Sequence, residues 1–177
     1  MGFSEYLTRE FKELKEESKL EYLQVMNEAC KNFYKWLENL LTWAGSQTDR
    51  ITFNPVTFNI KQLVEQNITL LKENLRKKNI SVEFEKSDYH DVYADRNMIN
   101  TVVRNLLTNA IKFTPENGKI EVTCSKNSEY IELSVSDTGI GMNHEELDNL
   151  FKIDKSLLRR GTAGETGTGL GLIICKE

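Results

Sequence analysis

From Ser18 onward, apolar residues recur at Leu23, Met26, Cys30, Phe33, Leu37, Leu40 and Ala44, in alternating steps of three and four that repeat every seven residues. That period is the seam of a coiled coil. Tyr22, Val25, Ala29, Trp36, Leu41 and Trp43 widen the stripe toward the broader apolar face of a four-helix bundle. Gly45 is expected to close this helix from just beyond its end, with the polar stretch Ser46 to Asp49 as the turn. Ahead of it, Phe3, Leu7, Phe11 and Leu14 carry a similar spacing, and the charged Lys15 to Ser18 supply the turn of an antiparallel helical hairpin. Two helices cover only part of so wide a stripe. A homodimer that pairs two hairpins into four helices is the expected completion, with packing against the rest of the chain as the alternative.

Near Arg50 the period changes. Ile51, Phe53, Val56 and Phe58 alternate around Pro55, which predicts a short edge strand. Asn59 caps a helix running to about Lys78, with Leu63, Val64, Asn67, Leu70, Leu71 and Leu75 along its inner face. Strands are predicted at Ile80 to Glu85 and Val92 to Ala94. Asp95 then caps a helix whose inner residues are Ile99, Val102, Val103, Leu106, Leu107, Ala110 and Ile111, ending at Phe113 before Pro115. After the Asn117-Gly118 turn, Lys119 to Ser125 and Glu129 to Ser136 alternate as a β-hairpin. Interleaved helices and strands of this kind make an α+β layer, a sheet with helices on one face.

Composition narrows the classes further. The 177 residues are 39% hydrophobic and 28% charged with only 2 Pro, which supplies a core and excludes disordered or collagen-like chains. The net charge of −4, without a long basic stripe, argues against nucleic acid as a partner. No run approaches ~18 apolar residues and no signal-peptide pattern follows Met1, so the chain reads as cytoplasmic, with any membrane attachment outside it. Cys30, Cys124 and Cys175 are odd in number, lack CxxC spacing and sit in apolar-periodic stretches, so buried free thiols are expected rather than a disulfide or zinc site. The chain starts and stops inside helical patterns, which reads as a piece of a longer protein.

The chemistry gathers in three places. Asn105 and Asn109 lie four apart, so both amides share one helix face with Lys112 close beside them. An amide oxygen can ligate a hard cation such as Mg²⁺ and a lysine can neutralise phosphate, although an ordinary polar helix face has the same composition. Asp137-Thr138-Gly139-Ile140-Gly141 ends a strand with a carboxylate and two glycines. Such an end lets backbone approach a flat ligand while the Asp accepts from an exocyclic amine; a tight turn capped by its own Asp is the alternative. Between Gly161 and Gly171 five glycines lead into a helix, a setting that favours anions, without the GK[ST] of a Walker motif. The segment Met142 to Thr166, with an amphipathic stretch at Glu146, Leu147, Leu150 and Phe151 and a basic stretch from Lys155, suits a mobile lid.

The order of these elements resembles the GHKL ATP-binding fold, and within it the sensor histidine kinases. NLLTNAIKFTP resembles their Asn box, DTGIGM the first glycine box, LFKID the Phe box and GTGLGL the second glycine box. The upstream heptad helix with its LLTWAG exit, and GFSEYL before it, resemble the dimerisation and phosphotransfer hairpin. The resemblance implies a partial helical hairpin over residues 1–49, forming a four-helix bundle as a dimer. It implies a GHKL α/β sandwich of mixed sheet with helices on one face over residues 50–177, truncated at its C-terminal end. It further implies ATP or ADP with Mg²⁺ as cofactors, and a response-regulator receiver domain as partner. Asn105 and Asn109 would hold Mg²⁺ and phosphates, Lys112 would contact phosphate, Phe113 would line the pocket and Asp137 would read the adenine amine. Gly139 and Gly141 would shape the base pocket, Phe151 would anchor the lid, and Gly167, Thr168, Gly169, Leu170 and Gly171 would wrap the triphosphate. The phosphoacceptor His of the family would lie upstream of Met1, with neither His90 nor His144 in its place, so this chain alone is not expected to autophosphorylate. Alternatives are a GHKL ATPase of the gyrase, chaperone or mismatch-repair type, or a dimeric scaffold with a vestigial pocket.

Overall fold

A computed structural model of the chain describes residues 15–46, 52–84, 91–126, 129–152 and 159–177. The chain divides into two compact units, Met1–Leu41 and Thr42–Glu177.

Helix α1, Glu16–Ser46, is 31 residues long and opens on Glu16 and Glu17, whose charges suit a helix N-terminus. Lys19 bridges back to Glu16 at 2.6 Å. The turn expected at Lys15 to Ser18 is not formed, because Glu16 to Ser18 are already helical and no Gly or Pro interrupts them. Gly45 likewise lies inside the helix instead of beyond its end; a single glycine costs a helix about 1 kcal/mol, too little to stop one this long. The first helix of the expected hairpin falls on residues outside the described ones. Leu23, Phe33 and Leu37 of the seven-residue seam stand exposed, as do Leu20, Val25, Trp36 and Leu41. Cys30, expected to be buried, is exposed on the same helix, as are its seam neighbours Leu23, Phe33 and Leu37; Cys124 is buried and Cys175 half-buried, all three as free thiols. No helix among the described residues is long and apolar enough to cross a membrane.

The second unit is built around one helix. In chain order its elements are β1 (Pro55–Asn59), α2 (Ile60–Leu70), α3 (Lys72–Lys77), β2 (Ser81–Phe84), β3 (Asp91–Asp95), α4 (Arg96–Phe113), β4 (Lys119–Lys126), β5 (Ile131–Asp137), α5 (His144–Asn149) and α6 (Gly171–Lys176). The single helix expected up to Lys78 is broken at Leu71, where ψ opens to 3°; Leu75, past the break, is still buried. The α+β mixed sheet is present: β2 runs parallel to β4, and β4 pairs antiparallel with β5 from Ile120 opposite Asp137 to Lys126 opposite Ile131. β1 and β3 instead form a separate antiparallel ribbon, Pro55 opposite Asp95 and Asn59 opposite Asp91.

β4 shows the period of two that the sequence predicts: Ile120, Val122 and Cys124 are buried while Glu121 and Ser125 face out. Leu63 and Val64 of α2 and Val103, Leu107, Ala110 and Ile111 of α4 pack with these residues into one core. Asn67 is buried among them and donates to Leu63 O at 2.9 Å and to Asn100 Oδ1 at 2.8 Å, which ties α2 to α4 with both amide protons satisfied.

Asp95 fixes where α4 begins. Its Oδ1 accepts from the backbone N–H of Asn97 and Met98, the expected helix cap, and its Oδ2 accepts from Asn54 N at 2.9 Å. The N–H groups of Asn54 and Met98 hold its carboxyl below the ordinary 3.8, with burial opposing and Asn97 adding to them. A carboxyl depressed in the fold contributes stability that is present above its unfolded pKa and lost as pH falls through its folded one. Thermal melts taken from about pH 6 down to about pH 2 should therefore show part of the acid-side loss removed in Asp95→Asn. Parallel curves for the two chains would contradict the role of this carboxylate.

Candidate functional site

The side of α4 away from the core carries the amides. Asn105 and Asn109, one turn apart, are both half-buried. Asn105 Nδ2 donates to Gly171 O at 3.2 Å and approaches Cys175 Sγ at 3.6 Å, which sets its Oδ1 against the start of α6. A Cβ at Gly171 would stand 3.3 Å from that oxygen, a tight contact that the amide would have to ease by a small shift. The side-chain amide of Asn109 makes no hydrogen bond to another described residue. Lys112 follows on the same face, its Nζ 4.7 Å from the ring centroid of Phe113. Burial pushes the Lys112 pKa below the ordinary 10.5, with the Glu165 carboxylate opposing that shift. A half-buried cation of this kind, with a partly stripped hydration shell, is a receptive contact for an anion.

The first glycine loop is packed against the end of α4. Asp137 closes β5, and its Oδ1 accepts from Gly139 N at 2.8 Å, so the local cap foreseen as an alternative does form, on one oxygen. Ile140 N donates to Phe113 O at 3.2 Å. A Cβ on Gly139 would lie 2.6 Å from the same Phe113 oxygen and 2.4 Å from Asp137 Oδ1, so this position requires glycine for space. Gly141 needs it for conformation, at φ 62° with open space around it. Arg159 donates to Gly141 O and to Glu146 Oε1, each at 3.1 Å, which ties the later part of the lid segment back to this loop. Between them Asn143 and Glu146 form a reciprocal capping box for α5, a signal readable from Asn-x-x-Glu that the sequence reading passed over. Phe151 is largely exposed, its ring 5.7 Å from Lys176 Nζ at the end of α6. The basic stretch from Lys155 to Leu158 lies outside the described residues.

The second glycine loop docks on the same helix end. Thr162 donates its N–H to Lys112 O at 3.0 Å and its hydroxyl to Thr114 O at 2.7 Å. Gly161 N donates to Glu165 O at 2.8 Å. A Cβ at Gly167 would stand 2.6 Å from Lys112 Nζ. Gly169 adopts φ 74°, Thr168 Oγ1 accepts from Leu170 N at 3.3 Å, and Leu170 is buried ahead of α6. Fold therefore brings Asn105 to Gly171, Lys112 to Gly167, and Phe113 to Gly139.

The stretch that carries this helix and both glycine loops also matches known proteins. Residues 94–177 match the family described as histidine kinase-, DNA gyrase B- and HSP90-like ATPases. The catalytic domain of histidine kinase ThkA, in a nucleotide-free form, is 33% identical with a TM-score of 0.58, over 70% of this chain and 78% of that one. This chain belongs to the sensor histidine kinases. The adaptive-response sensory kinase SasA of Synechococcus sp. (strain CC9311) is 31% identical over 135 residues, covering 75% of this chain and 35% of that protein. A structure of ThkA in complex with the response regulator protein TrrA is 25% identical with a TM-score of 0.70, over 90% of this chain and 46% of that one. The chain spans about a third of the length of the curated relatives it matches. Its GHKL domain implies nucleotide binding.

Proposed function

We propose that residues 50–177 bind ATP together with Mg²⁺, and that the whole protein passes the γ-phosphoryl group to a histidine and then to an aspartate of a response-regulator receiver domain. The observation that carries this reading is the convergence of Asn105, Asn109 and Lys112 with both glycine loops at one end of α4. Asp137 would accept from the adenine amine through the oxygen that does not cap Gly139, with Gly139, Gly141 and Phe113 framing the base. Lys112 and the backbone from Gly167 to Gly171 would meet the phosphates, and Phe151 would anchor the lid.

The residues present fit a magnesium ion. Among the described residues no three His, Cys, Asp or Glu side chains gather to hold a metal, so its oxygens would come from amides, water and phosphate. Asn105 is bonded through its nitrogen, which leaves its oxygen, and Asn109 has its amide available. When bound, the ion would neutralise phosphate charge; orientation of the phosphates would fall to Lys112 and the glycine loop. Hydrolysis in the manner of the gyrase-type relatives needs a carboxylate base, and α4 has no Glu between Asp95 and Thr114. Residues 1–49 would serve as part of a dimerising hairpin, the exposed apolar stripe of α1 being covered by a second copy.

Calorimetric titration with ADP tests the site. The parent chain should bind more tightly with Mg²⁺ present than with EDTA, and Asn109→Ala should lose about 10-fold in affinity with Mg²⁺ while changing little without it. Absence of heat for the parent, or an unchanged Mg²⁺ dependence in the variant, would remove the assignment.

A further inference from the structure

Among the described residues, an ion pair between a buried lysine and a partly exposed glutamate lies outside the residues read as nucleotide ligands. Lys78 follows α3, and its side chain is only 6% exposed. Its Nζ donates to Ile111 O at 2.7 Å, to Lys112 O at 3.1 Å and to Glu165 Oε1 at 3.1 Å. An ammonium has three protons, and here each has an acceptor. Two of the acceptors belong to the last turn of α4, where carbonyls have no partner within the helix. The third comes from the second glycine loop, 87 residues away in sequence. Lysine is rarely buried so fully unless it is paired and hydrogen-bonded in this way.

Glu165 is held equally firmly. Its Oε2 accepts from Ala163 N at 2.9 Å and its carbonyl accepts from Gly161 N at 2.8 Å, closing the loop on itself around the carboxylate. Burial would raise its pKa, but the N–H groups of Glu165 and Ala163 and the Lys78 ammonium together leave it below the ordinary 4.5, so the group is ionised at neutral pH. Two residues on is Gly167, against Lys112 Nζ. The path from Lys78 to the phosphate-facing part of the loop is therefore short and continuous.

Resting on the nucleotide-binding reading above, we propose that Lys78 and Glu165 are positioning residues: the pair latches the loop from Gly161 to Gly167 onto the C-terminal end of α4, which stations the loop beside Lys112 before nucleotide arrives. A loop placed in advance loses less conformational freedom on binding, and the gain appears as affinity. Neither residue needs to touch the nucleotide.

Glu165→Gln is the informative variant, because it removes the charge while Lys78 still covers both helix carbonyls. It is read in two ways on the full chain: tryptic cleavage after Arg160, at the base of the loop, and ADP affinity with Mg²⁺. The variant should be cut about 10-fold faster and bind ADP about 10-fold more weakly. Lys78→Met should weaken ADP at least as much, and Lys78→Met combined with Glu165→Gln should be no weaker than Lys78→Met alone, the mark of two residues acting as one unit. Parental cleavage in Glu165→Gln, parental ADP affinity, or losses that simply add in the double variant would each overturn the latch. A parent chain that fails to bind ADP would sink the nucleotide reading instead, and the cleavage rates would still decide whether the pair holds the loop.

Discussion

Asp137→Ala should weaken ADP binding about 100-fold, the effect of losing one hydrogen bond to a charged acceptor in a site that has to discriminate. The structure makes the case specific. Asp137 is exposed at the end of β5, and Gly139 N occupies its Oδ1 at 2.8 Å, which orients the carboxylate and leaves Oδ2 for a ligand. Stability should change little, since the lost intramolecular bond sits in water and is worth about 1 kcal/mol. Asp137→Asn gives a finer test, because its amide can also donate, so the preference for ADP over GDP, whose ring carries an oxygen in place of the amine, should narrow. Calorimetry on both variants measures this. Parental affinity in Asp137→Ala would show that the carboxylate does nothing beyond capping its own turn.

The legible parts of the sequence were those governed by local chemistry. Asn59 and Asp95 announce helix starts because their short side chains reach backbone N–H groups two or three residues on, and both do so here. The burial of Ile120, Val122 and Cys124 followed from strand alternation. Asn105, Asn109 and Lys112 could be placed on one face by helical spacing alone. What was hidden depends on contacts distant in sequence. Lys78 closes a Lys77-Lys78 pair at a helix end and reads as solvated, and nothing local reveals that Ile111, Lys112 and Glu165 surround it. The separation of the β1–β3 ribbon from β2–β4–β5 is likewise a matter of pairing between strands, which alternation cannot specify. Gly45 misled because the rule that glycine ends helices describes a preference of about 1 kcal/mol, and neighbouring good helix formers outweigh it.

Gly139→Ala and Gly141→Ala, two substitutions in the same loop, should differ sharply, and the reason lies in what each new methyl would meet. At Gly141 there is open space, so alanine brings only the cost of a left-handed backbone at φ 62°, roughly 1 kcal/mol. At Gly139 the methyl would lie 2.6 Å from Phe113 O, a backbone atom at the end of α4 that cannot rotate aside, and 2.4 Å from Asp137 Oδ1. The loop has to lift, which breaks the Ile140 N to Phe113 O bond at 3.2 Å and the Gly139 N to Asp137 Oδ1 cap together. Overpacking of this kind costs about 2 to 3 kcal/mol. Because the lifted segment carries Asp137, ADP affinity should fall with it, whereas Gly141→Ala should retain most of its binding. Urea unfolding followed by circular dichroism, with calorimetry alongside, separates the two. Equal losses of stability at both positions would mean that the first glycine box does not rest on the end of α4, and the placement of the adenine side of the site would fail with it.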